Sequence, residues 1–284
     1  MFRYRFSLIA LLSCLWSYSA VAEIKAVASF SILEDMVQQV AGEDAQVSSI
    51  VGPDADAHLY SPNAADAIAV TKADIIFVNG LGFETWSSDL IANSGTTAPV
   101  VTVTEKVIPL MVEGSVDPHA WNNIGNGILY VEAIAKGLSQ VDPANAAAYQ
   151  ARAEAYIKKL KALDAEAKDL LAPIAPEKRI VVTAHDAFGY LANAYDMTFL
   201  APVGIDTEAE PSAQEMAALI TYLNEVKANA LFVENITNDS LIKQISAETG
   251  IEIGGRIYSD ALSVKGSPAT SYLAMFKHNI SLLA

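Results

Sequence analysis

The sequence predicts an α/β fold of two lobes, each a parallel sheet wound by helices, joined by one long rigid linker helix. Short apolar runs alternate with amphipathic helical stretches on both sides of the middle of the chain. The stretch 142–173 is typical of a single uninterrupted helix, and we find no repeat with a period of 20–50 residues. We therefore predict an N-terminal lobe at 23–141, a linker helix at 142–173 and a C-terminal lobe at 174–284.

The linker helix is predicted from its cap, its composition and its spacing. Asp142 can cap the first turn, and Pro143 sits where a proline is tolerated. Alanines and long unbranched side chains follow, and Pro173 ends the segment. Larger apolar residues recur every three, four or seven positions and predict one buried stripe: Tyr149, Tyr156, Leu160, Leu163 and Leu170. A helix of this length would span about 45 Å. An ordinary packing helix inside one domain remains the alternative.

The remaining segments are assigned from apolar runs, caps and turn residues. Strands are predicted at 24–29, 45–51, 73–78, 99–103, 179–183, 197–203, 230–234 and 251–253. Helices are predicted at 31–40 and 239–249. Four further helices are predicted to start near 62, 83, 210 and 268, and another is predicted to end at 141.

Residues 1–22 have the pattern of a cleavable signal peptide. A basic start at 1–5 precedes a short apolar run at 6–16, and Ala-Val-Ala at 20–22 is a typical cleavage site. Cys14 lies in Leu-Leu-Ser-Cys, which is compatible with a lipidation site. Leucine two positions before such a cysteine is unusual, so we favour cleavage after Ala22. We expect an exported, soluble protein of the periplasm without lipid anchoring at Cys14.

The charge and cysteine content exclude several partners and sites. The signal peptide holds two of the 18 basic residues and none of the 33 acidic ones, so the mature chain has a net charge of −17. That balance opposes binding to nucleic acid or to anionic lipid, since no basic surface is available to meet phosphates. The single cysteine is Cys14. A metal site in the mature chain must therefore use histidine and carboxylate ligands.

Three of the four histidines fall in loops that carry other polar residues. His58 and His185 closely follow predicted strands, His119 lies in Asp-Pro-His, and Asp260 holds the equivalent place late in the second half. Ligands of open α/β sheets bind at the carboxyl ends of the strands. Two of these residues precede the linker helix and two follow it, so one ion in the cleft could join the lobes.

The chemistry of this set suits a borderline divalent metal. Imidazole nitrogens with one carboxylate are typical zinc ligands. Acidic loop residues would favour a cation and could orient the imidazoles: Asp54, Asp56, Asp117 and Asp186. Other readings stay open, because a lone histidine is more often a surface residue and Asp260 could cap a turn. His278, in the last predicted helix, is expected to be a solvated surface residue.

Five segments resemble the zinc- and manganese-binding solute-binding proteins of ABC importers (cluster 9). They are DADAHLYSP at 54–62, NGLGFETW at 79–86, DPHAWNN at 117–123, TAHDAFGYL at 183–191 and YSDALS at 258–263. The resemblance extends in order over the whole mature chain, and the long helix falls where that family keeps its rigid linker. It implies two lobes, a metal in the cleft held by His58, His119, His185 and Asp260, and no enzymatic activity.

The resemblance also implies a cargo and a partner. The expected role is capture of a divalent metal and delivery to the ABC permease in the inner membrane, by a monomer that does not insert into lipid. In this family a histidine at the third ligand position is associated with zinc and a glutamate with manganese, so His185 favours Zn²⁺. Mn²⁺, alone or beside zinc, is the alternative. The chain departs from many zinc-binding members because residues 87–116 contain no histidine.

Two functions of other classes compete with this interpretation. Three protein ligands and a water form a catalytic zinc site, and Glu208 or Glu234 could act as general base in a zinc-dependent hydrolase. If Asp260 is the fourth ligand, no coordination position is left for substrate. An adhesin is the second alternative, and it could coexist with metal capture.

Overall fold

The computed structural model describes residues 23–112 and 114–284 of the chain. The predicted signal peptide and Cys14 lie outside the described residues. None of the helices in the described ranges has the length and apolar character needed to cross a membrane.

The first lobe is a four-stranded parallel sheet with the strand order β2–β1–β3–β4. Its central strands are apolar because helices cover both faces of the sheet. Its strands are β1 (Ile24–Phe30), β2 (Ala45–Val51), β3 (Ile75–Val78) and β4 (Val100–Thr102). Its helices are α1 (Ser31–Ala41), α2 (Ala64–Thr71), α3 (Ser87–Ser94) and α4 (Ile124–Val141). An antiparallel hairpin that the sequence did not predict follows β4, with strands β5 (Leu110–Val112) and β6 (Ser115–Asp117).

The linker helix α5 (Ala146–Leu171) is shorter than predicted and is preceded by a 3₁₀ turn at Pro143–Asn145. Asp142 does not cap it, because its carboxylate bonds to the Asn145 amide and the Tyr149 hydroxyl instead. Four of the five stripe residues are buried as predicted. The prediction that Leu170 is buried was wrong, because Leu170 is 41% exposed and its neighbour Leu171 is 2% exposed. At 3.6 residues per turn the buried face drifts from a strict seven-residue spacing, and by the end of the helix it has moved one position.

The second lobe repeats the architecture with the strand order β10–β9–β7–β8, again parallel. The repeat follows the alternation of apolar runs and helical stretches in the sequence. Its strands are β7 (Ile180–Val182), β8 (Thr198–Leu200), β9 (Ala230–Glu234) and β10 (Ile253–Ile257). Its helices are α6 (Gly189–Tyr195), α7 (Ala213–Val226), α8 (Ser240–Thr249) and α9 (Tyr272–Leu283).

The linker helix is fixed to elements on both sides of it. Arg152 donates to the Val40 carbonyl at 2.7 Å and pairs with Asp44 at 2.6 Å, which joins α5 to the first lobe. Glu166 pairs with Lys277 of α9 at 2.7 Å. One hydrophobic cluster runs through the first lobe, α5 and α9, so the last helix packs against the linker as well as against β10. This shared core limits movement of the helix relative to either lobe.

Candidate metal centre

All four residues singled out from the sequence meet in one place between the lobes. His58 follows β2, His119 follows β6, His185 follows β7 and Asp260 follows β10. One possible ligand atom from each lies within 4.8 Å of the other three. The loops with His58, His185 and Asp260 leave the carboxyl ends of strands in the two parallel sheets, and His119 follows the hairpin strand β6.

The donor atoms are close enough to share one ion. The Nε2 atoms of His58 and His119 are 3.2 Å apart. The Oδ2 atom of Asp260 lies 3.1 Å from Nε2 of His185, 3.4 Å from Nε2 of His58 and 3.6 Å from Nε2 of His119. A tetrahedral zinc ion with ligands at about 2 Å separates its donors by about 3.3 Å. These four distances lie close to that separation, and the remaining two do not exceed 4.8 Å.

The site is buried from solvent, and one of its carboxylate oxygens has no hydrogen-bond partner among the described residues. His119, His185 and Asp260 are fully buried, and His58 is 9% exposed. Oδ1 of Asp260 has no hydrogen-bond partner among the described residues. A buried carboxylate oxygen without a partner is costly, and a cation beside it would remove that cost.

Asp117 orients the imidazole of His119. Its Oδ1 lies 2.8 Å from Nδ1 of His119 and also accepts the backbone N–H of the same residue at 2.9 Å. A carboxylate only accepts, so Nδ1 carries the proton and the lone pair of Nε2 points into the site. The sequence had proposed this role for Asp117 as one of four acidic loop residues.

Glu234, at the end of β9, does the same for His185. Its Oε2 lies 2.7 Å from Nδ1 of His185 and accepts the hydroxyl of Ser259 at 2.6 Å. Its Oε1 accepts the backbone N–H groups of Ala184 and His185 at 2.7 and 3.0 Å. The sequence had named Glu234 only as a possible base. The signal available was its position at the carboxyl end of a predicted strand.

Without a metal, the electrostatics of the site favour protons on the imidazoles. Burial lowers the pKa of His119, but Asp260 and Asp117 outweigh it and raise that pKa to about 9. Burial is likewise outweighed at His185, where Glu234 and Asp260 raise the pKa well above its usual value. The pKa of Asp260 is held well below its usual value because His119 and His185 overcome the opposite effect of burial. A metal ion entering the site must displace these protons.

An aromatic wall closes the first-lobe side of the site. The ring of Phe83 contacts that of His58 at 4.8 Å between centroids, and that of Trp121 at 4.7 Å. Phe30 packs against both Phe83 and Trp121 at 4.9 Å. These side chains are fully buried, so they exclude water and fix the imidazole rings. Sequence reasoning quoted Phe83 and Trp121 within motifs but gave them no role.

A cavity of about 490 Å³ opens beside His58. Residues of both lobes line it, including Phe83, Val116 and Asp186. Its rim on the second lobe carries the exposed acids Asp206 and Glu208. The cavity therefore connects the least buried of the four clustered residues with solvent.

The other acidic loop residues hold the lobes together. Asp54 accepts from the Asn235 amide at 3.0 Å and from the Val264 N–H at 3.2 Å. Asp56 accepts the Thr207 hydroxyl at 2.5 Å and the backbone N–H of His58 at 2.8 Å. Asp54 and Asp56 were expected to accept hydrogen bonds from the imidazoles, but Asp117 and Glu234 are the acceptors that do so.

His278 and Asp186 are not members of the cluster of four possible ligands. His278 is half-buried on α9, where its Nε2 bonds to the Arg256 carbonyl at 2.9 Å. It is therefore not the freely solvated side chain that was expected. The backbone N–H of Asp186 bonds to the carbonyls of Val203 and Gly204, both at 3.2 Å.

Comparison with known proteins gives a consistent family. A family model described as zinc-uptake complex component A, periplasmic, matches residues 26–284. The metal ABC transporter substrate-binding lipoprotein ScbA of Streptococcus cristatus is 35% identical over 93% of this chain and 88% of its own. The manganese-binding lipoprotein MntA of Halalkalibacterium halodurans is 35% identical over 90% of this chain and 86% of its own. The solved periplasmic zinc-binding protein TroA of Treponema pallidum has a TM-score of 0.88 at 29% identity, covering 92% of this chain and 98% of its own.

These relatives correct one prediction. Both sequence relatives are named lipoproteins, which contradicts our expectation of an exported protein without lipid anchoring at Cys14. We had weighed the Ala-Val-Ala site at 20–22 above Leu-Leu-Ser-Cys at 11–14. Leu-Leu-Ser-Cys lies within the short apolar run at 6–16 and Ala-Val-Ala follows it, so the presence of that run does not decide between the two sites.

The comparisons also decide between metal transport and the zinc-dependent hydrolase. The matching family consists of substrate-binding proteins of ABC transporters, not of enzymes, and that role implies a metal ion as cargo and a membrane permease as partner. Glu234 makes four hydrogen bonds and is not available as a general base. The two parallel-sheet lobes and the cluster of three histidines and one aspartate fit the same conclusion. The chain belongs to the zinc-uptake complex component A family of periplasmic, metal-binding proteins of ABC importers.

Proposed function

We propose that this protein captures Zn²⁺ in the cleft between its lobes, through His58, His119, His185 and Asp260, and delivers it to the permease. The observation that carries the proposal is the convergence of four donor atoms within 4.8 Å, contributed equally by the two lobes. The unpartnered Oδ1 of Asp260 supports it, since a cation is the partner that this buried oxygen lacks.

Zinc is the proposed cargo because of the chemistry of the donors. Three imidazoles and one carboxylate suit a borderline ion, and the Irving–Williams order places Zn²⁺ above Mn²⁺ for such a set. The hydrogen bonds from Nδ1 of His119 and His185 to carboxylates strengthen both imidazoles as ligands. The four protein ligands fill a tetrahedral shell, which suits a bound cargo rather than a catalytic ion.

Manganese, alone or beside zinc, is the second candidate, and one observation favours it. Oδ1 of Asp260 is free to join Oδ2, which would raise the number of donors to five. Mn²⁺ accepts carboxylate oxygen more readily than zinc does and favours higher coordination numbers. The relative MntA is named for manganese.

We propose that capture involves loop movement and a small opening rather than a large rotation of the lobes. The linker helix is bonded to both sides, and several hydrogen bonds cross the cleft near the site. Asn122 donates to the Ala187 carbonyl at 2.9 Å, and the Tyr190 hydroxyl donates to the Asp117 carbonyl at 3.2 Å. X-ray scattering of the metal-free and zinc-bound protein tests this, and a closure of tens of degrees would refute it.

We further propose that the protein acts as a monomer, anchored to the membrane by a lipid on Cys14, and meets its permease in the inner membrane. The names of the sequence relatives support the anchor. The cavity beside His58 is the route by which the ion reaches solvent, so the permease is expected to dock around its rim.

Competitive titration tests the proposed function most directly. Purified, chelator-stripped protein is titrated with Zn²⁺ and with Mn²⁺, beside an Asp260→Ala variant. We expect one tightly bound zinc that manganese does not displace, and weaker binding by the variant. Comparable retention of manganese would support the second candidate, and no stoichiometric binding of either ion would refute both.

A further inference from the structure

We propose that Trp121 is a positioning residue whose hydrogen bond across the lobes fixes the distance between the two pairs of metal ligands. The inference rests on the proposed function, since it concerns the same site. Nε1 of Trp121, in the first lobe, donates to the carbonyl of Ser259, in the second lobe, at 2.8 Å. Trp121 is two residues from His119, and Ser259 directly precedes Asp260.

Ser259 connects this bond to both second-lobe ligands. Its hydroxyl donates to Oε2 of Glu234 at 2.6 Å, and the same oxygen lies 2.7 Å from Nδ1 of His185. Its peptide bond continues directly into Asp260. Displacement of Ser259 would therefore move the Asp260 carboxylate and the carboxylate that orients His185 together.

Trp121 itself is held rigidly. Its ring lies 4.9 Å from that of Phe30, 4.7 Å from that of Phe83 and 5.4 Å from that of His119. Its backbone carbonyl accepts the hydroxyl of Tyr272. Trp121 and Ser259 are both fully buried, so water does not compete for the bond. A rigid donor bonded to a buried acceptor can hold the two lobes at a constant distance at this point.

Two other ligands have a related contact that stays within one lobe. The carbonyl of Ala57, directly before His58, accepts Nε1 of Trp86 at 2.8 Å. The carbonyl of Pro118, directly before His119, accepts the amide of Asn79 at 2.9 Å. These bonds place single ligands within the first lobe. The bond from Trp121 differs because it sets the first-lobe pair against the second-lobe pair.

The spacing of the two pairs matters most for release of the ion. Zinc must lose contact with one lobe before it can leave, so a bond that resists their separation slows dissociation. Loss of a group that orients metal ligands from outside the coordination shell changes metal affinity by about 10- to 100-fold. We expect the effect of Trp121 mainly on the dissociation rate rather than on the rate of capture.

The test compares full-length mature Trp121→Phe with wild-type protein and with Tyr149→Phe. The phenylalanine keeps an aromatic ring but removes the N–H donor. Tyr149→Phe is the control because it also loses one buried hydrogen bond, from the hydroxyl to Asp142, at the start of the linker helix rather than in the loops of the site. Zinc release into excess chelator is followed by stopped flow. We expect Trp121→Phe to release zinc about 10- to 100-fold faster, with the control within about threefold of wild type.

Two further measurements separate positioning from general loss of stability. Thermal unfolding of the metal-free variants is compared, and the visible absorption of bound Co²⁺ reports ligand geometry. We expect a lower unfolding temperature for Trp121→Phe than for the control, because the smaller ring leaves a cavity in the core, and a changed cobalt spectrum only for Trp121→Phe. If Trp121→Phe does not fold, Trp121 is replaced by its benzothienyl analogue, which keeps the fused ring but lacks the N–H donor to the Ser259 carbonyl, and the same direction is expected.

A double variant tests whether Trp121 acts through Asp260. In an Asp260→Ala background, Trp121→Phe should weaken zinc binding less than it does in the wild-type background, because one of the two ligands that it positions is already absent. An equal loss in both backgrounds would overturn the inference, as would a release rate that matches the control. Absence of zinc and manganese binding by wild-type protein would instead refute the proposed function itself.

Discussion

The substitution Glu234→Gln should weaken zinc binding by reversing the tautomer of His185. All four groups that contact the Glu234 carboxylate are donors: the N–H of Ala184, the hydroxyl of Ser259, and the backbone N–H and Nδ1 of His185. Glutamine replaces one acceptor oxygen with an NH₂ group, which then faces donors. If that group faces His185, Nδ1 becomes the acceptor, and the proton on Nε2 points at the metal.

The magnitude follows from burial and the number of contacts. Glu234 is fully buried, so neither the lost bonds nor the displaced donors are compensated by water. Zinc affinity should fall by about 10- to 100-fold. The metal-free protein should also lose about 3 kcal/mol of unfolding free energy, since buried donors are left unpaired and one charge partner is removed.

Competition titration with a chromophoric chelator measures the affinity, and urea unfolding measures the stability. Glu225→Gln is the matched control, since it makes the same charge change at an exposed position of α7 in the same lobe. The titration is run at pH 8.5 as well as at pH 7, because Glu234 also raises the pKa of His185 and its loss eases competition from protons. Zinc affinity equal to that of the control at both pH values would refute the role assigned to Glu234.

Three further predictions concern pH, packing and anchoring. Because the pKa of His119 is raised to about 9 and that of His185 well above its usual value, zinc must displace protons at neutral pH, and zinc affinity should rise as the pH is raised from 7 to 9. Titrations that show a plateau above pH 6.5 would contradict this. Conversely, the unfolding free energy of the metal-free protein should fall as pH rises through about 9, where His119 loses its proton. Leu171→Ala should lower the unfolding free energy by about 2–4 kcal/mol and Leu170→Ala by less than about 1 kcal/mol, both measured by urea unfolding. Equal losses would contradict the burial of Leu171 on the packed face of α5. Cys14→Ser should release the protein from membrane fractions, and a variant that stays bound would argue against the anchor.

The sequence was sufficient for the fold class and for the four candidate ligands. Alternating apolar runs and helical stretches dictate parallel sheets, and polar residues after the strands must then gather at the sheet edges. His58, His185 and Asp260 fit this rule, but position alone gave only a weak indication of a metal site. The full set with His119 came from the resemblance of five motifs to a family of metal-binding proteins. The assignment of these four residues as ligands still remains a proposal, as do the lobe boundaries at 141 and 173. The choice between zinc and manganese also stayed open, since both ions accept the same donor types.

Tertiary structure decided what depends on small distances between remote segments. Glu234 and His185 are far apart in sequence, and only the packing of β7 against β9 brings the carboxylate to Nδ1. Trp121 and Ser259 are also remote in sequence, and only the packing of one lobe against the other brings them into contact. The burial of Leu171 rather than Leu170 follows from the accumulated twist of α5, which local spacing does not resolve. Periodicity fixes which residue types face a core, whereas the partner of each polar atom is set by the three-dimensional arrangement.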